Sequence, residues 1–193
     1  KRNRVKFGLA VVDADTVKNF TKKRIRIDFW KILATEFFNN NLIETCVKTG
    51  KEVFVSSGFA STEDIKKLLS KFNSVKIIHT ALSDKIEDSN ILAIEKLKNK
   101  LKKNISFGLH CKTDEIISST IALRPENIFF YIKDQKKRNY PDNSHAIKIN
   151  LLNNKVRSWK KIETCLGSGE KVRKQIPKWI YNKLGIKKRL GFN

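Results

Sequence analysis

Short apolar runs alternate with helical patterns along most of this chain, and that alternation constrains its fold more than any other feature. Val5 to Val12 reads as a strand, and Thr49-Gly50-Lys51 leads into a strand at Val53-Phe54-Val55 that ends at Ser56-Ser57-Gly58. Ser61-Thr62-Glu63-Asp64 has the spacing of a helix capping box. Ile65, Leu68, Leu69 and Phe72 follow at i, i+3, i+4 and i+7 and make one apolar stripe. Val75 to Ile78, ending at His79, predicts the next strand. Ile94, Leu97 and Leu101 mark a helix whose other face carries Lys96, Lys98, Lys100 and Lys102. Ile105 to Leu109 predicts a strand, Ile116 to Leu123 a helix, and Ile128 to Ile132 a further strand. Strands that are apolar throughout, separated by helices, imply a parallel sheet with helices outside it.

Two parallel architectures meet that description, an open doubly wound sheet and a (β/α) barrel. The sequence has no G-x-G-x-x-G and no G-x-x-x-x-G-K-[ST] to favour a nucleotide-binding open sheet. Small polar or ionisable residues stand at the strand ends instead: Ser56, His79, His110 to Lys112, and Lys133. A barrel active site is built from such positions, at the C-terminal ends of several strands.

Beyond Asp134 the character changes. Residues 135–143 read as a basic loop. A helical stretch with Val156, Trp159, Ile162, Cys165 and Leu166 follows and stops at Gly167-Ser168-Gly169. Residues 171–193 carry eight Lys/Arg and no acid, with Pro177 suited to the first turn of a last helix and Trp179, Ile180 and Leu184 on its apolar side. Residues 1–170 are therefore expected to form one α/β domain and 171–193 a basic helix or tail. That tail packs on the domain, or lies weakly on an anionic membrane surface, or docks on a partner.

The 193 residues suit a single domain. No apolar run approaches the roughly 20 residues that cross a bilayer. The first residue is Lys and Met is absent throughout, which reads as a cut N-terminus without a signal pattern. Cys46, Cys111 and Cys165 are odd in number and lack a C-x-x-C pair, against a disulfide framework and a zinc ribbon, so the cytoplasm is the expected compartment.

Net charge is +22, but only nine of the 41 basic residues are Arg, and the lysines travel with abundant Asn and Ile. Nucleic-acid surfaces lean on Arg for phosphate and base contacts. The charge thus reads as a solvated lysine-rich surface, and nucleic acid is not an expected partner.

Several segments, taken in order, resemble the sialic acid (N-acetylneuraminate) synthase family. Trp30-Lys31-Ile32-Leu33-Ala34 is similar to that family's Y-K-I-A-S strand. Leu42 to Gly58 is similar to L-L-E-A-I-A-K-T-G-K-P-V-I-L-S-T-G, and Phe59 to Ile65 stands in the place of M-A-T-L-E-E-I. Ile78-His79-Thr80, Asn90 to Ile94, Phe107-Gly108-Leu109, Pro141-Asp142 and Leu166 to Lys171 match L-H-C/T, N-L-R-A-I, V-G-L, part of G-P-D-H, and L-G-S-G-E-K. The resemblance implies a (β/α) TIM-type barrel. Its implied reaction condenses phosphoenolpyruvate with N-acetylmannosamine or a related N-acetylated sugar aldehyde, for sialic or nonulosonic acid and other cell-surface carbohydrate.

Carried over position by position, the resemblance makes Lys31 and Ser56 the phosphoenolpyruvate-binding residues, a cation and a hydroxyl for an anionic substrate. His79, His110, Lys112 and Lys133 are expected to line the site. For His79 the alternative is a hydrogen-bonded structural histidine, and His145 is assigned no role. The family uses a divalent ion (Mn or Mg), held by a His in S-D-H-T and another in E-K/R-H, to polarise the sugar aldehyde. Here those positions fall on Lys112 and Lys133, which carry no lone pair when protonated, so no metal ligand is predicted; the alternative is a shift of a residue or two that brings His110 or Cys111 into reach, with Asp134 as an oxygen ligand near Lys133. Ala34, Asp84 to Glu87 and Ala146 depart from the family pattern as well.

Those departures leave two other readings: a non-catalytic barrel acting as an interaction or scaffold protein, and a lyase in which adjacent Lys112 and Lys133 lower each other's pKa to allow a Schiff base. Relative to the family, the chain reads as strands three to eight, without the first two strand-helix units and without the small antifreeze-like C-terminal domain. Six parallel strands cannot close an eight-stranded barrel, so the expectation is either that the missing unit lies upstream of the cut or that the exposed edges pair with another chain, as in a homo-oligomer.

Overall fold

The computed structural model describes residues 5–134 and 142–172. The predicted basic helix or tail at 171–193, apart from its first two residues, and most of the basic loop lie outside the described residues.

Six strands form one parallel sheet: β1 (Gly8–Val11), β2 (Phe29–Ile32), β3 (Glu52–Ser56), β4 (Lys76–Thr80), β5 (Ile105–Gly108) and β6 (Ile128–Phe129). Their spatial order is their sequence order. A doubly wound sheet reverses direction at a switch point, whereas an unbroken order belongs to a barrel or an arc of one. The connecting helices are α1 (Ala14–Lys22), α2 (Asn40–Lys48), α3 (Thr62–Lys71), α4 (Ala93–Leu101) and α5 (Glu115–Ile121).

Side chains alternate across each strand, and the register assigns every strand residue to a face. Leu9 pairs with Trp30, Trp30 with Val53, Val55 with Ile77, Ile77 with Ile105, and Phe107 with Ile128. These residues join Val17 of α1, Leu42, Ile43 and Cys46 of α2, Ile65, Leu68 and Leu69 of α3, Ile94 and Leu97 of α4, and Ile116 and Ile117 of α5 in one hydrophobic core. The core is thus the layer between the sheet and its helices. At α3 the predicted capping box is present: the Asp64 amide donates to Ser61 Oγ, and the Ser61 amide to the Asp64 carboxylate.

The opposite face is concave. Phe54 of β3 lies edge-on to Phe29 of its neighbour β2, with ring centroids 5.5 Å apart, and to Phe129 of β6, at 5.3 Å. Strands in a flat sheet stand about 4.8 Å apart, which would separate β3 from β6 by roughly 14 Å. Only a curled sheet brings those rings together. Below this aromatic layer, Lys76 pairs with Glu52 at 2.9 Å and Glu126 at 2.5 Å, and Lys6 with Glu52 at 2.8 Å. The fold is therefore a parallel six-stranded half barrel, with an ionic floor, an aromatic layer and a mouth at the C-terminal strand ends.

The sequence predicts one strand over Ile128 to Ile132, but the chain breaks at Phe130-Tyr131. Ile132–Lys133 (β7) pairs instead with Ile147–Lys148 (β8) in a small parallel ribbon. The Ile147 amide donates to the Tyr131 carbonyl, which ties the segment after residue 141 to the mouth. Helix α6 (Ile149–Cys165) follows, and its Trp159 meets Phe130 edge-on at 5.3 Å. No helix among the described residues is long and apolar enough to cross a membrane.

Candidate active site at the barrel mouth

Lys31 is the second-to-last residue of β2, on the concave face, paired in register with Phe54. Its Nζ stands 5.9 Å from the ring centre of Tyr131. Burial lowers its pKa from the ordinary lysine value, and the negative charge of Asp142 partly opposes that. Ser56 ends β3 on the same face, two residues beyond Phe54, and is buried. Thr80 and Ser106, also buried, share this face in β4 and β5, where Thr80 Oγ1 donates to the Gly108 carbonyl at 2.7 Å.

His110 lies two residues past Gly108 and enters the same mouth. Its Nε2 is 3.3 Å from the Tyr131 hydroxyl, and its ring is 5.0 Å from that of His145. Tyr131 and His145 are themselves edge-on at 4.8 Å. Burial, then the positive neighbours His145 and Lys31, lower the pKa of His110, against the pull of Asp142. Burial likewise lowers that of His145 and raises that of Tyr131. Lys31, His110, Tyr131, Asp142 and His145 thus converge, brought from β2, the end of β5, the end of β6 and the segment before β8.

The other expected lining residues are placed differently. His79 pairs in register with Phe107 on the helix-facing side of the sheet, and its Nε2 lies 3.1 Å from the Ser89 carbonyl and 3.2 Å from that of Asn90. It therefore ties down the chain before α4 and stands across the sheet from the mouth; a strand residue one position out of phase with Ile78 and Thr80 cannot face the lumen. Lys112 turns outward to Asp84, 2.7 Å away. Lys133 donates to the Asn143 carbonyl at 2.5 Å and so anchors the segment that carries Asp142. The two lysines are engaged by different partners.

Tyr131, Asp142 and His145 were not predicted as site residues. Tyr131 was open to prediction from alternation, as the next concave-face residue after Phe129. For Asp142 the signal was the match of Pro141-Asp142 to part of G-P-D-H, whereas nothing in the spacing marks His145; both arrive by a return of the chain over the mouth.

As to metal, the family positions do not fit, since both are lysines with other partners. A different donor set does: one ligand atom each from His110, Asp142 and His145, all within 4.8 Å of one another. His145 Nε2 is buried and, among the described residues, makes no hydrogen bond, with Asp142 Oδ1 3.5 Å away.

Comparison with known proteins places this geometry. The structure is similar to N-acetylneuraminic acid (sialic acid) synthetase of Leptospira borgpetersenii serovar Hardjo-bovis, a structure in complex with citrate, at TM-score 0.77 and 24% identity over 92% of this chain and 65% of that one. It is similar to the spore coat polysaccharide biosynthesis protein spsE of Bacillus subtilis at TM-score 0.74 and 19% identity, covering 86% of this chain and 49% of that one. A truncated form of 3-deoxy-D-arabino-heptulosonate 7-phosphate synthase from Thermotoga maritima matches at TM-score 0.69 and 16% identity over 83% of this chain and 66% of that one. The chain thus spans about half to two thirds of the length of these structures. No curated protein matches it. The model of the NeuB family matches residues 1–171, and with that match over most of its length the chain belongs to the NeuB family.

Proposed function

We propose that this chain carries the phosphoenolpyruvate-binding half of a sialic or nonulosonic acid synthase, acting in the biosynthesis of cell-surface carbohydrate. The observation that carries the reading is Lys31, a half-buried ammonium on the concave face at the mouth, with the Ser56 hydroxyl on the next strand. A cation held in a partly dry cleft attracts an anion more strongly than one in water. Phosphoenolpyruvate, with a phosphate and a carboxylate, is such an anion.

The reaction forms a bond between C3 of phosphoenolpyruvate and the aldehyde carbon of an N-acetylated sugar. The aldehyde oxygen takes a proton, water adds at C2, and loss of inorganic phosphate leaves the 2-keto acid. In it Lys31 binds phosphate, Ser56 donates a hydrogen bond to the same anion, and Tyr131 and His110 shape the sugar side of the mouth. A divalent ion, when bound, polarises the aldehyde carbonyl.

The test is phosphate release from phosphoenolpyruvate with N-acetylmannosamine and Mn2+, using the full reading frame. Turnover that is lost in Lys31→Met supports the reading. A complete lack of turnover with several N-acetylated sugars leaves the alternative, a non-catalytic interaction or scaffold barrel, which the replacement of both family histidines by Lys112 and Lys133 favours.

A further inference from the structure

We propose that His110, Asp142 and His145 form a divalent-metal site at the barrel mouth, with a ligand set displaced from the positions that the family resemblance points to. The inference stands on the geometry of these three residues and does not rest on the synthase reading.

The first argument is the orphaned nitrogen. The His145 side chain is only 8% exposed, and among the described residues its Nε2 makes no hydrogen bond, the Asp142 carboxylate standing 3.5 Å away. Its other nitrogen, Nδ1, lies 3.4 Å from Ser144 Oγ. A buried polar atom without a partner costs roughly 1–3 kcal/mol. Native structures rarely tolerate that cost unless an ion or water occupies the position.

Spacing is the second argument. His145 Nε2 is 3.5 Å from Asp142 Oδ1. Ligands bonded to a tetrahedral ion at about 2.1 Å stand about 3.4 Å from each other. The third ligand atom, from His110, lies within 4.8 Å of both, so closure around an ion asks that its distances to the other two shorten by at most about 1.4 Å.

Donor chemistry is the third. Two imidazoles and one carboxylate suit first-row divalent ions such as Mn2+, Co2+ and Zn2+, and three protein ligands leave positions open for an oxygen of a bound molecule. The surroundings also resemble an outer shell. The Tyr131 hydroxyl abuts His110 Nε2, Ser144 flanks His145, and Lys133 holds the Asn143 carbonyl beside Asp142. Partners of this kind orient metal ligands and raise affinity. Lys133, standing where the resemblance expects a ligand, thereby acts as a buttress for one.

The experiment is calorimetric titration of the chelator-stripped full chain with Mn2+, Co2+ and Zn2+, with the visible absorption of Co2+ as a second readout, and with no phosphoenolpyruvate or sugar present. The expected result is one ion per chain. Asp142→Asn and His145→Gln are each expected to weaken binding by on the order of 10–100-fold and to alter the Co2+ spectrum, while Lys112→Ala leaves both unchanged. Asp142 is partly exposed, so its variant stays informative if His145→Gln fails to fold. Absence of stoichiometric binding for all three ions, or affinities unchanged in Asp142→Asn, overturns the site. Because no substrate is involved, metal binding without phosphate release, or the reverse, separates the failure of this proposal from failure of the synthase reading.

Discussion

Lys31 Nζ lies 5.9 Å from the ring centre of Tyr131, although the strands that lead to these residues, β2 and β6, are separated by three others. In a flat sheet the two backbones would be roughly 19 Å apart. The contact therefore reports curvature directly, and curvature is what turns a row of strand ends into a mouth.

Removing the charge at Lys31 tests whether the mouth binds anions. Lys31→Met is expected to lower affinity for phosphoenolpyruvate by on the order of 10–100-fold, the scale of one charge-assisted contact of about 1.5–3 kcal/mol. Equilibrium binding by calorimetry checks this against unchanged far-UV circular dichroism. Equal affinity in the variant would move the anion site elsewhere.

The ionic floor predicts how stability varies with pH. Hydrogen bonds from Lys6 and then Lys76 lower the pKa of Glu52 from its ordinary value of 4.5, so its contribution is present above that value and is lost as the pH falls through the lower folded one. Hydrogen bonds to Glu126 and then Glu52 raise that of Lys76 above 10.5, so its contribution is complete below that value and is lost as the pH rises through the higher folded one. The melting temperature of the Lys76→Met variant should accordingly vary less with pH at both extremes than that of the parent. Parallel curves would show that the floor contributes nothing.

Thiol accessibility offers a third measurement. Burial pushes the Cys46 thiol up to about 12, and Cys111 is buried with its Sγ 3.4 Å from the Thr113 carbonyl, while Cys165 is exposed. A thiolate-specific reagent at neutral pH should label one thiol quickly in the native chain and three after denaturation. Rapid labelling that survives Cys165→Ser would contradict the packing of α2 or of the strand β5 end.

At the start of α3, Ser61→Ala removes the oxygen that accepts from the Asp64 amide and should cost about 1 kcal/mol. Urea unfolding gives the comparison, with a lower midpoint and an unchanged slope expected. Asp64→Ala, which breaks the reciprocal half of the box, should fall in the same range.

Much of the architecture was legible because it is local. Val53-Phe54-Val55, the stripe from Ile65 to Phe72 and the Ser61 box each depend on residues within a turn or a strand of one another, and all three stand in the structure. The break after Phe129 was not legible. Nothing in Ile128 to Ile132 shows that Ile147, a distant residue, takes the Tyr131 carbonyl.

The candidate site divides in the same way. The sequence alone determined that a parallel α/β sheet forms, that Ser56 stands at the end of one of its strands, and, through the family resemblance, that Lys31 lies on another strand and that lysines occupy the positions where metal-binding histidines are expected. Tertiary structure decided which strand-end residues share the mouth, since one residue of phase turns His79 to the helices while His110 faces inward. It also decided that Asp142 and His145 belong there. Periodicity carries information over a few residues, whereas a ligand set drawn from positions 110 and 145 exists only once a curled sheet and a returning segment close the distance between them.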